Sequence, residues 1–170
     1  IGLYAYFIQH DSQVRAEQAR LEAQQQKKLE EAQKAQQEAE QKQREAETAK
    51  KNSEQKAQAV AQVESENALN DFYKDITDHK YLDAYNMFSD DMKQQVGSYT
   101  QWKNGYSTTV DNHLKNVKAV DVKVNEVTFT YDLVAKDVIN HYLQERTFTG
   151  KVIMYKDGHS LKIRSQENHD

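Results

Sequence analysis

The pattern of apolar and polar positions changes three times along the chain. Ile1 through Ile8 are apolar, and the sequence turns polar at Gln9-His10-Asp11. From Ser12 to Glu66 there is no Pro or Gly, and Ala, Glu, Gln, Lys and Arg dominate. These residues lose least on entering a helix, so the stretch predicts one long helix. Leu69, Phe72, Tyr73 and Ile76 then fall at i, i+3, i+4 and i+7, an amphipathic helix that continues the first or is re-capped after it. Tyr81, Ala84, Tyr85 and Phe88 repeat the spacing, with Asp78 as the expected N-cap. Ser89 is placed to cap a short turn carrying Met92 and Val96. Ser98 with Gln101 three residues on is a capping-box pattern, opening a helix whose buried edge is Tyr99, Trp102 and Tyr106.

After these helices the period becomes two. Val120, Val122 and Val124 alternate with polar residues, as do Val127, Phe129, Tyr131 and Leu133. A long run from Asn140 to Lys156 follows, then Leu161 and Ile163. Asp157-Gly158 predicts a two-residue hairpin turn, because both turn positions need positive φ. That turn sets Lys156 opposite His159, Met154 opposite Leu161 and Val152 opposite Ile163, with Val152 and Met154 facing the core. Gly150 is expected to mark a bend or bulge. Helices followed by an antiparallel sheet predict an α+β domain, its helices on one face of a curved sheet.

Composition divides the chain at the same place. Hydrophobic residues make up 37% of the 170 residues, against roughly 45–50% in globular domains. The deficit lies between Asp11 and Glu66, which hold 10 basic and 12 acidic residues and no aromatic. Three segments are expected: 1–9, the end of a truncated transmembrane helix; 10–66, a helical stalk; and 67–170, a compact domain. With no cysteine, disulfides, thiol nucleophiles and thiolate zinc sites are excluded. A net charge of −4, acidic in both halves, argues against a nucleic-acid partner. The six scattered histidines form no i, i+4 pair on a helix, so neither metal nor cofactor is expected. The runs Ser89-Asp90-Asp91 and Asp75 to Asp78 read as acidic helix starts.

Eight apolar residues are far short of the roughly 20 that cross a bilayer, but suit the last turns of a membrane helix that begins upstream. The expectation is a single-pass bacterial membrane protein with its C-terminal domain extracytoplasmic. Glu30–Lys34, Glu38–Lys42, Glu40–Arg44 and Glu47–Lys51 are oriented for i, i+4 pairing along the stalk. At about 1.5 Å per residue the stalk spans on the order of 80 Å. A heptad seam through Ala32, Ala39, Ala46, Ser53 and Val60 at a, and Ala35, Lys42, Ala49, Lys56 and Val63 at d, is apolar at seven of ten positions, but five of these are Ala. It supports either a weak coiled coil, making homo-oligomers through the stalk, or a solitary charge-laced helix.

The run from Ile76 to Ser89, the element Tyr99-x-x-Trp102-x-x-Gly105-Tyr106, the strand end Thr149-Gly150-Lys151-Val152 and the closing hairpin together resemble the NTF2-like superfamily. The likeness is to bacterial extracytoplasmic versions, as in TcaA-type zinc-ribbon membrane proteins and the N-terminal extension of some penicillin-binding proteins. It covers about Ala68 to Gln166 and implies a cone of three helices packed on a curved antiparallel sheet. The fold hosts enzymes, binders and scaffolds, so function must come from the site. Tyr85, Trp102, Tyr106, Phe129, Tyr131 and Phe148 are the expected pocket residues. Asp83, Tyr85, Tyr106, Tyr131, His141 and Tyr142 are its inward polar candidates, and none matches a catalytic motif of the superfamily's isomerases and dehydratases. The expected function is therefore non-enzymatic: a membrane-anchored binding or scaffold protein displaying the domain to a protein or cell-envelope partner. The alternatives are a VirB8-like secretion scaffold, or an enzyme whose cone holds a buried Asp or His facing a Tyr. A cone filled by Trp102, Phe129 and Phe148 would exclude the enzyme.

Overall fold

With no Pro or Gly between residues 3 and 96, nothing interrupts a first helix, α1 (Gly2–Thr77), in the computed structural model, which describes residues 2–170. Ile1, the first residue of the apolar run, lies outside the described residues. The chain divides into two units, Ile1–Asn52 and Ser53–Asp170.

In the first unit, residues 2–52 are helical and exposed. Among the described residues no helix is long and apolar enough to cross a membrane, which overturns the expected single-pass membrane localisation. The apolar run occupies about two turns and passes straight into polar positions, whereas a bilayer core needs about 20 apolar residues. The four expected Glu–Lys and Glu–Arg pairs do not close to ion-pair distance. Instead Gln41 donates to Glu45 at 2.9 Å and Gln36 to Glu40 at 3.4 Å. Long exposed side chains gain little from pairing, so water competes successfully for them.

In the second unit α1 gains an apolar face. Leu69, Phe72, Tyr73 and Ile76 are buried, and the helix passes through them without a second cap. It stops in a Schellman motif: His79 takes φ 61, its N–H bonds Ile76 O at 3.1 Å, and Lys80 N–H bonds Asp75 O at 2.7 Å. Asp78 is therefore part of a helix end and pairs with Lys74 rather than capping the next helix. Asp75 to Asp78 likewise close a helix and do not start one. Helices α2 (Tyr81–Asn86), α3 (Asp90–Val96) and α4 (Tyr99–Asn104) follow. Lys80, without a side-chain cap, precedes α2. Ser89 caps α3 through Met92 N–H at 3.1 Å, and the Ser98–Gln101 capping box on α4 is complete.

The sheet is four antiparallel strands in the order β1 (Thr109–Val122), β2 (Glu126–Ile139), β3 (Tyr142–Asp157), β4 (Ser160–His169). Val127, Phe129, Tyr131 and Leu133 all face inward, and with Val152, Met154 and Ile163 they meet the helices in one core. Each fully buried Phe or Val contributes about 1.5–3 kcal/mol. The last hairpin turns at Gly158-His159, one residue later than expected, so Met154 lies opposite Ile163 and Lys156 opposite Leu161. Only Gly158 takes positive φ there, which removes the need for two such residues. The strand slides by two positions, and the inward parity of Val152, Met154 and Ile163 survives.

Bulges alter the face elsewhere. In β1, Val120 bulges between Ala119 and Asp121 and is exposed, while Ala119 and Val122 pack on the core. The expected alternation of Val120, Val122 and Val124 is thereby broken. In β4, Arg164 is the extra residue between Ile163 and Ser165, so the inward set passes from odd to even numbers, to Gln166 and Asn168. Gly150 is neither bend nor bulge: the β2–β3 register runs through it unshifted, opposite Tyr131.

Candidate functional site

Inward residues of β2 change from apolar to polar toward one end of the sheet, through Leu133 and Ala135 to Asp137. On β3 the matching row is Phe148, Arg146 and Gln144, paired with Leu133, Ala135 and Asp137 in turn. Helix α4 covers this end with Gln101 and Trp102, followed by Gly105 and Tyr106. Together they enclose an open cavity of about 460 Å³, completed by Thr108, Thr109 and Asn112 from the start of β1 and by Asn168. The volume lies within the range of small-ligand sites.

Of the expected pocket residues, Trp102, Tyr106 and Phe148 wall the cavity. Trp102 packs edge-on to Phe88 at 5.5 Å and to Tyr106 at 5.1 Å, so its ring is held by the core behind it. Phe129 is fully buried deeper in the core and does not line the cavity. Tyr85 is half-buried on α2, where its hydroxyl donates to Gly97 O at 2.9 Å. Tyr131 is buried behind the wall. Asp83 is exposed, and His141 and Tyr142 lie at the exposed β2–β3 turn, outside the cavity lining. Asn140 and His141 both take positive φ there, at 51° and 71°.

Tyr131 belongs to a relay of buried hydroxyls. Gln166 Nε2 donates to Tyr73 Oη at 2.7 Å, the two tyrosine hydroxyls lie 3.0 Å apart, and Tyr131 donates to Asn168 Oδ1 at 2.9 Å. Burial raises Tyr73 well above the ordinary phenol value, with the neighbouring Tyr131 adding to it. Burial likewise raises Tyr131 and pushes Tyr106 up to about 12. All three are therefore neutral donors at ordinary pH.

Asp137 is the buried carboxylate that sequence reasoning missed. It accepts from Thr109 Oγ1 at 2.7 Å and from Thr108 Oγ1 at 3.4 Å, and Arg146 stands 3.5 Å away. The Arg146 guanidinium lies over the Phe148 ring at 5.1 Å. Extending the odd-numbered alternation of β2 by two more steps would have found Asp137, and the even-numbered row of β3 would have found Arg146. No sequence signal marks Asn168, which turns inward only because of the Arg164 bulge. Asn112 was also missed: its backbone N–H and C=O are both held by Thr77 Oγ1, and its Nδ2 is buried without a partner. Among the described residues no group of three or more His, Asp or Glu is placed to hold a metal ion.

Fold and site define an α+β protein in which a long N-terminal helix precedes a four-stranded antiparallel sheet bearing an open, part-aromatic cavity. No family model and no curated protein matches the chain. Among solved structures, the intermembrane space region of the chloroplast protein ARC6 is similar, with a TM-score of 0.41 and 15% identity over 64% of this chain and 95% of that one. A likeness at that level carries nothing about function.

Proposed function

We propose that residues 53–170 form a non-enzymatic binding module of the NTF2-like cone type, which takes a protein or cell-envelope component at the cavity beside Trp102. The polar helix ahead of it serves as a spacer, and its Ala seam is the surface through which two copies would pair as a weak coiled coil. The observation that carries the binding role is the cavity itself. It is open, of ligand size, and walled by Trp102 and Phe148, whose rings supply contact area at small entropic cost. Asp137 is held from within the fold: its Oδ1 accepts from two threonine hydroxyls and its Oδ2 faces the Arg146 guanidinium at 3.5 Å.

A fragment screen by two-dimensional amide NMR tests this reading, using small molecules of mixed charge and polarity. Binders are expected to shift the resonances of Gly105, Thr108, Thr109 and Ala135 as one group. Shifts scattered over the sheet surface, or none at all, would refute it.

A further inference from the structure

The hydrogen-bond inventory of the cavity is one-sided. Gln101 Oε1 is consumed by Ser98, accepting from its backbone N–H at 3.0 Å and lying 3.2 Å from its hydroxyl, which leaves Nε2 to donate. Asn168 Oδ1 is consumed by the Tyr131 hydroxyl, which again leaves Nδ2. The Tyr106 hydroxyl is a neutral donor; its neighbour Trp102 can only donate, so the phenol proton stays free for a ligand. Asn112 adds a buried amide nitrogen without a partner, on a residue only 6% exposed. Arg146 carries five N–H donors, its side chain is 54% exposed, and Asp137 engages one edge of it. The one carboxylate, Asp137, is bonded from within the fold at Oδ1 and faces Arg146 with Oδ2. Besides the Thr108 and Thr109 hydroxyl oxygens and Asp137 Oδ2, the unpaired groups on the polar side of the cavity are therefore donors, facing an apolar side of Trp102, Leu133, Ala135 and Phe148.

We infer that the cavity binds a carboxylate joined to an apolar body, with the carboxylate oxygens on Arg146 and Tyr106 and the body against Trp102 and Phe148. This deepens the proposed binding role and rests on it. A carboxylate is acceptor-only and can take two parallel N–H bonds from a guanidinium, so it fits what the fold leaves unpaired. An uncharged amide of the same shape brings its own donors to a wall that already has a surplus, and leaves Arg146 without a charge-assisted bond. Such a carboxylate has two sources, a free small acid or the C-terminus of a polypeptide ending in an apolar residue.

Trp102 is the only tryptophan of the chain, so its emission reports cavity occupancy directly. The full chain is titrated with 3-phenylpropionate, with 3-phenylpropanamide, and with a hexapeptide ending in Phe whose C-terminus is either free or amidated. The acid is expected to bind at least tenfold more tightly than its amide, and the free peptide more tightly than the amidated one. Arg146→Gln and Tyr106→Phe should each weaken the acid severalfold and leave the amide unchanged, and Tyr106→Phe preserves the shape of the wall should Arg146→Gln fail to fold. A free peptide that outbinds the small acid assigns the source to a polypeptide end, and the reverse order to a free metabolite; both outcomes support the inference. Equal binding of acid and amide would overturn it while the cavity remained a binding site. Silence from every probe would overturn it together with the proposed function.

Discussion

Gly150 shows how much one missing atom can decide. A Cβ there would lie 2.1 Å from Tyr131 Cε2 and 2.6 Å from Asn168 Oδ1. The ring of Tyr131 lies across the glycine, and this close approach holds its hydroxyl between Tyr73 and Asn168. Gly150→Ala would force that ring aside and break the relay. The expected cost is about 3 kcal/mol, the upper part of the overpacking range, read as a lower urea midpoint in chemical denaturation. A loss below about 0.5 kcal/mol, the size of an ordinary surface change, would mean that the ring is free to move. The glycine was visible in the sequence but its reason was not, because the clash comes from a residue on the neighbouring strand.

At the level of elements, local chemistry was the most legible. The Ser98–Gln101 pair was readable from a spacing of three, and Ser98 Oγ accepts from Gln101 N–H at 3.3 Å while Gln101 Oε1 accepts from Ser98 N–H at 3.0 Å. Ser98→Ala is expected to destabilise the domain by about 1 kcal/mol, measured by the same denaturation. A larger share of the effect should appear at the cavity, where hydrogen exchange of the α4 amides should quicken, since a six-residue helix depends heavily on its cap. Exchange unchanged across α4 would show that packing of Trp102 alone holds the helix. The Asp78 cap was misread because a capping residue must precede a helix, and here a left-handed His79 ends one first. The β1 alternation was misread because bulges at Val120 and near Asn116, which takes φ 53, interrupt the period. A bulge depends on how two strands meet, so neither strand announces it alone.

For the whole molecule, the aromatic core sets a response to alkali. Tyr73, Tyr106 and Tyr131 all keep their protons above the ordinary phenol value near 10, chiefly through burial. Above pH 10 the unfolded chain releases these protons and the folded one retains them. The folded state then binds more protons, so stability falls as pH rises. Stability should be level through pH 8–9 and decline from about pH 10 toward the folded values, near 12 for Tyr106. The tyrosinate absorbance of the three should appear together with loss of the circular dichroism signal. Their ionisation in the folded state, ahead of unfolding, would show that the hydroxyls reach water.

Periodicity and capping chemistry by themselves determined the long polar helix, the short helices after it, the inward row of β2 and the α+β order, because each depends on residues within one or two turns of each other. The extent of the membrane-like run was also countable, and it falls short of a span. Tertiary structure alone decided the slide of β4 against β3, the turning of Gln166 and Asn168 toward the core, and the meeting of Asp137, Arg146 and Tyr106 around one cavity. Those outcomes depend on where a bulge falls and which strands become neighbours, and such contacts join residues tens of positions apart that carry no mark of one another in the linear chain.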